Sequence, residues 1–96
     1  MAICMVFTPP KDLYTRKHYD KVLKFLGAEF PPAAMRMHVI GTTAEGEVRI
    51  VDIFENAEDF ERFAESHAPV YEEMGISLDD VLKHASVFEI DKTINK

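Results

Sequence analysis

Residues Ala2 to Phe7 (AICMVF) are apolar in both alternating phases of a strand, with Ile3, Met5 and Phe7 in one phase and Cys4 and Val6 in the other. Successive side chains of an extended segment point to opposite faces, so such a strand must be covered on both sides. The run Val48 to Phe54 repeats the pattern, with Val51 and Ile53 in one phase and Val48, Ile50 and Phe54 in the other. A chain of 96 residues supplies one core, and its helices can cover one face of a sheet. Something else has to cover the far face. A symmetric second copy is the commonest cover, so a homodimer through the sheet face is expected, and Ile50 is assigned to that partner face.

The rest of the chain alternates between strand and helix patterns. Pro9 and Pro10 end the first strand, and Tyr19, Val22, Leu23 and Leu26 then recur at helical spacing with Lys17, Lys21 and Lys24 between them. Thr15 as N-cap and Gly27 as stop place a helix over about 15–26. Past the proline-rich loop Ala28 to Pro32, the alternation from Met35 to Ile40 predicts a second strand. The turn Gly41-Thr42-Thr43-Ala44-Glu45-Gly46 joins it to the run Val48 to Phe54 as an antiparallel hairpin.

Asn56 can cap the next helix, whose inner stripe is Phe60, Phe63, Ala64 and His67. Pro69 kinks or restarts it, and it continues through Tyr71 and Met74 to Gly75. Ser77 to Leu82 fits one more short turn of helix, Ala85 to Ile90 a last strand, and Asp91 to Lys96 an arm. The order β-α-β-β-α-β over residues 1–96 predicts a single α+β domain of the ferredoxin-like kind, a four-stranded antiparallel sheet with two helices on one face.

Charge and composition narrow the partners. The formal charge of −6 repels phosphate backbones and anionic lipid, so no nucleic acid and no membrane partner is expected. The longest apolar run is far short of the roughly 20 residues of a membrane helix, and no basic segment precedes it, which reads as a cytoplasmic protein. The single cysteine, Cys4, lies inside an apolar run and reads as an inert core thiol.

The elements YTRKHYDKVLKFLG, MRMHVIG, EVRIVDIFENAEDFERFAESHAPVYEEMG and the closing strand resemble the dimeric α+β barrel superfamily. The third element is similar to antibiotic-biosynthesis-monooxygenase-like members, with a strand ending in Asp-Ile-Phe-Glu, a capped helix carrying Phe60 and Phe63, and the Glu65-Ser66-His67 turn. The resemblance implies two sheets packed face to face. It also implies a histidine near the position of His67 lining a cavity between helices and sheet, in contact with a substrate or haem. Characterised monooxygenases of the superfamily share a catalytic set that includes tryptophan and asparagine, and the haem-degrading branch uses Asn, Trp and His. This chain has no tryptophan, and its asparagines are Asn56, at a helix cap, and Asn95, in the tail.

Within the hairpin, Arg36, His38 and Ile40 share one phase, and Val48, Ile50, Asp52 and Phe54 share another. Pairing Ile40 with Val48 sets Arg36 across from Asp52, whereas a slip of two residues sets His38 across from Asp52. The functional reading makes His38 a general base, Asp52 the group that fixes its tautomer, and Arg36 the holder of an anionic substrate group. The structural reading is a satisfied polar cluster that specifies the dimer.

His67 is read either as a cavity residue or as a packed histidine at a helix end. His38, Asp52 and His67 are thus the catalytic candidates, with Arg36, Phe54, Phe63 and Tyr71 as ligand-binding candidates. Tyr14 and Tyr19 read as amphipathic core residues that could also reach a pocket. His18, His38, His67 and His84 lie on separate elements without ligand spacing, so no metal and no cofactor is expected. Three functions remain open: a homodimer binding a small apolar or aromatic molecule between sheet and helices, a cofactor-independent monooxygenase, isomerase or cyclase, and a non-catalytic structural dimer module.

Overall fold

The structure, a computed structural model, describes residues 1–95; of the expected arm, Lys96 lies outside the described residues. The strands are β1 (Ile3–Phe7), β2 (Met35–Thr42), β3 (Val48–Phe54) and β4 (Ala85–Glu89). The helices are α1 (Arg16–Leu26), α2 (Ala57–Glu65), α3 (Ala68–Glu73) and α4 (Leu78–Leu82). The sheet order is β2-β3-β1-β4 with every neighbouring pair antiparallel, the ferredoxin-like arrangement expected from the element order.

Local chemistry explains where the helices start and stop. At the head of α1 the Thr15 backbone N–H donates to His18 Nδ1 at 2.9 Å, and Gly27, at φ 56°, ends the helix in a conformation that side chains disfavour. At the head of α2, Asn56 Oδ1 accepts from the Asp59 N–H at 2.8 Å, while the Asp59 carboxylate also receives Arg62. The helix expected to run past Pro69 breaks at Ser66 and His67 and restarts as α3, with Pro69 in its first turn, where a missing N–H costs nothing.

The registers decide which phase of each strand meets the helices. Met5 lies opposite Asp52 and Phe7 opposite Ile50 in the β1–β3 pair, while His38 lies opposite Asp52 and Ile40 opposite Ile50 in the β2–β3 pair. This is the second of the two hairpin registers. Met5, Phe7, Val48 and Ile50 join Tyr14, Tyr19, Val22, Val70, Tyr71 and Val81 in one core under the helices. Ile50 therefore sits on the helix-covered face, and its assignment to the partner face is corrected. Both phases of β3 are apolar, so alternation alone could not say which phase the helices would claim.

The opposite sheet face carries no helix. Met37, Val39 and Phe88 are 51%, 48% and 50% exposed there, beside the half-buried Val6, Val51 and Ile53. Cys4 lies between Ile53 and Phe88 on that face, and burial, with the Asp52 charge second, pushes its thiol pKa up, the direction of low reactivity. Among the described residues no helix is long and apolar enough to cross a membrane.

Candidate functional site

Asp52 stands in the central strand β3 on the helix-covered face and is only 3% exposed. A carboxylate in that position needs a donor, and the register supplies one by placing His38 directly opposite. His38 Nδ1 lies 2.5 Å from Asp52 Oδ1. From above, α1 brings the Tyr19 hydroxyl to 2.8 Å from His38 Nε2, with the two rings parallel to within 5°. An ionised carboxylate can only accept, so Nδ1 carries the proton that faces Asp52; whenever the ring is neutral, Nε2 accepts the Tyr19 O–H. Burial raises the Tyr19 pKa against the opposing effect of Arg16, with Asp52 and Asp20 adding to the rise, so the phenol keeps its proton. Phe30 meets the imidazole edge-on at 5.0 Å.

This chain of three polar groups borders a cavity of about 70 Å³ between the sheet and helices. The lining is mostly apolar, including Met5, Ile50 and Phe63, and it takes in both His38 and His67. All three tyrosines of the chain, Tyr14, Tyr19 and Tyr71, border it as well.

His67 occupies the break between α2 and α3, where its Nδ1 donates to the Phe63 carbonyl at 2.7 Å. Its ring packs edge-on against Phe63 at 4.6 Å and lies 5.5 Å from Tyr71. Burial lowers its pKa, opposed by the Phe63 carbonyl and more weakly by Asp52, so the neutral ring leaves Nε2 as an acceptor. His18 is shifted the same way, by burial and by Lys21. The fold thus prefers both rings neutral, while the unfolded chain takes up protons below about pH 6.5. Stability should be fully present above that value and fall as the pH drops below it. Thermal melts between pH 7.5 and 5 should show this decline, and His67→Gln should flatten it; a slope unchanged by that substitution would remove His67 as its source.

Two expected site residues stand elsewhere. Arg36 is the extra residue of a β-bulge between Met35 and Met37, which takes it out of phase with His38. It is exposed, its nearest carboxylate is Glu55 at 3.9 Å, and it does not border the cavity, so its grouping with His38 and Asp52 is corrected. Phe54 is fully buried against Phe60 and Phe63 and borders an outer groove near α2 instead of the cavity. Phe63 and Tyr71 do line the cavity. Tyr19, which reads from the sequence as a core residue that could also reach a pocket, does border the cavity, whereas its bond to His38 and the place of Phe30 have no sequence expectation behind them; the available signal was that a phenol on an apolar stripe needs a partner for its hydroxyl. Among the described residues no group of three His, Cys, Asp or Glu could hold a metal ion.

No family model matches the sequence, and no curated protein matches it. Similar solved structures include a candidate antibiotic biosynthesis monooxygenase from Deinococcus radiodurans, 13% identical with a TM-score of 0.55, covering 100% of this chain and 98% of that one. Another is Rv0793 from Mycobacterium tuberculosis, 18% identical with a TM-score of 0.50, covering 98% of this chain and 97% of that one. The likeness runs end to end and concerns the course of the backbone: the chain has the ferredoxin-like α+β fold of antibiotic-biosynthesis-monooxygenase-like proteins.

Proposed function

We propose that the protein is a homodimer, paired through the open sheet face, that binds a small apolar or aromatic molecule between sheet and helices and exchanges a proton with it. The observation that carries this reading is the chain Asp52–His38–Tyr19, held at 2.5 and 2.8 Å and bordering the cavity. In the resting arrangement Tyr19 donates to His38 Nε2. As the Tyr19 proton passes to Nε2, the phenol oxygen takes the acidic proton of a bound molecule. The imidazolium formed is stabilised by Asp52, which does not itself take up the proton. His38 is then the base, Tyr19 the relay and Asp52 the group that orients and stabilises. Proton abstraction of this kind serves cofactor-independent oxygenation, isomerisation and cyclisation alike. With no tryptophan in the chain and Asn56 engaged in capping α2, the reading rests on the relay and not on the residue set of known oxygenases.

A double-mutant cycle tests it. His38→Ala, Asp52→Asn and the double variant should be compared for stability and for binding and turnover of a panel of small aromatic molecules. Each single change is expected to cost no more than about 1–3 kcal/mol of stability, non-additively, because the two groups share one hydrogen bond. Ligand affinity or turnover should fall about tenfold or more. A His38→Ala protein that handles every aromatic probe as the wild type does, while losing stability, would leave the cluster a scaffold element.

A further inference from the structure

The cavity is bordered by two further phenols that the Asp52–His38–Tyr19 chain does not use, Tyr14 and Tyr71. Tyr14 and Tyr71 are 2% and 6% exposed, yet neither hydroxyl makes a hydrogen bond to a described residue. Among the described residues no fully enclosed side-chain oxygen or nitrogen lacks a partner, so both hydroxyls keep some open surface, and both residues border the cavity. Buried phenols ordinarily find a partner, which here must come from the contents of the cavity. The two rings meet edge-on at 6.5 Å, and both residues border the same cavity.

The charges around this space are one-sided. Among the described residues the cavity lining contains Asp52 and no Lys or Arg. The nearest guanidinium to the polar chain, Arg16, lies over the Tyr19 ring at 5.3 Å, exposed and paired with Asp20. Arg36 is at the surface near Glu55. The His38 Nδ1 proton is committed to Asp52, and the His67 Nδ1 proton to a carbonyl. An anion entering would meet a buried carboxylate with no cation to pair with it.

We infer that the cavity selects an uncharged, ring-sized molecule carrying a hydrogen-bond acceptor, received by the Tyr14 and Tyr71 hydroxyls, and turns away carboxylates and other anions. This rests on the cavity being a binding site. Burial raises the pKa of both phenols, with neighbouring tyrosines and Asp52 adding for Tyr14 and Asp52 for Tyr71, so both remain donors at any ordinary pH. The contact with haem implied by the family resemblance is disfavoured on the same grounds, since haem carries two carboxylates and far exceeds one ring.

Three probes of equal ring size separate the possibilities. Acetophenone, ethylbenzene and benzoate should be titrated into the wild-type protein at pH 7.5 by calorimetry and by protein-observed NMR. Acetophenone should bind about tenfold more tightly than ethylbenzene, the worth of one to two hydrogen bonds, and benzoate should bind more weakly than either. Tyr14→Phe and Tyr71→Phe should erode the preference for acetophenone while ethylbenzene binds as before. Equal binding of all three probes, or tighter binding of benzoate, would overturn the inference while leaving the cavity a binding site. Binding of none would overturn the proposed function and this inference with it. The wild-type comparison decides the matter even where a tyrosine variant fails to fold.

Discussion

Ile50→Asp should unfold the protein, whereas Val51→Asp, one residue further along β3, should leave it folded but monomeric. Ile50 is 7% exposed, set between Phe7 and Ile40 under the helices. A carboxylate there has no cationic partner, and burying it costs several kcal/mol even if it takes up a proton. That is a large share of the roughly 5–15 kcal/mol that holds a domain together. Val51 points the other way, between Val6 and Val39 on the face without helices, where a charge is solvated unless a second copy covers it. Circular dichroism should show Ile50→Asp without a cooperative melt and Val51→Asp with one. Light scattering behind a sizing column should give about twice 11.0 kDa for the wild type and 11.0 kDa for Val51→Asp. A wild-type monomer at micromolar concentration would end the homodimer proposal, and a Val51→Asp dimer would move the interface elsewhere.

Phe54→Ala should be the most damaging truncation in the core. The ring is fully buried, 5.6 Å from Phe60 and 5.4 Å from Phe63, and its backbone lies between Ile3 and Met35 in the sheet. Removing a buried phenyl group typically costs about 3–5 kcal/mol, partly for the cavity left behind. For a domain of this size that lowers the melting temperature by at least about 12 °C. The damage should extend to ligand binding, because Phe63 rests on Phe54 and borders the cavity. A shift below about 1 kcal/mol would mean that α2 collapses onto the sheet and fills the gap.

The succession of elements was legible because each carries its own period and its own stops. Tyr19, Val22, Leu23 and Leu26 mark a helix, alternation marks β2, a β-rich run after turn residues marks β3, and Pro69 marks the restart at α3. His67 could be placed on the inner stripe from its spacing to Phe60, Phe63 and Ala64, and it does reach the cavity. What stayed hidden depends on tertiary placement. The loop Gly41 to Gly46 allows two registers, and the choice of His38 opposite Asp52 is settled by the pairing of whole strands. The bulge that turns Arg36 away is an inserted residue with no sequence mark of its own. Tyr19 meets His38 only because α1 crosses above β2, and Phe30 reaches the same imidazole from a loop whose prolines announce a turn but not its direction.

The gathering of every tyrosine around one cavity, in a chain without tryptophan, makes the ultraviolet spectrum of this protein a local one. Phenol absorption and emission come wholly from rings that border the same small space, with no outlying chromophore to dilute a change. On the proposed function, a molecule that entered would perturb the tyrosines it touches, so the intrinsic fluorescence would serve as a label-free gauge of occupancy. The hydroxyl of Tyr19, bonded to an imidazole, and those of Tyr14 and Tyr71, without a partner among the described residues, should also differ in their band positions. Difference spectra could then tell which of the hydroxyls a ligand has reached.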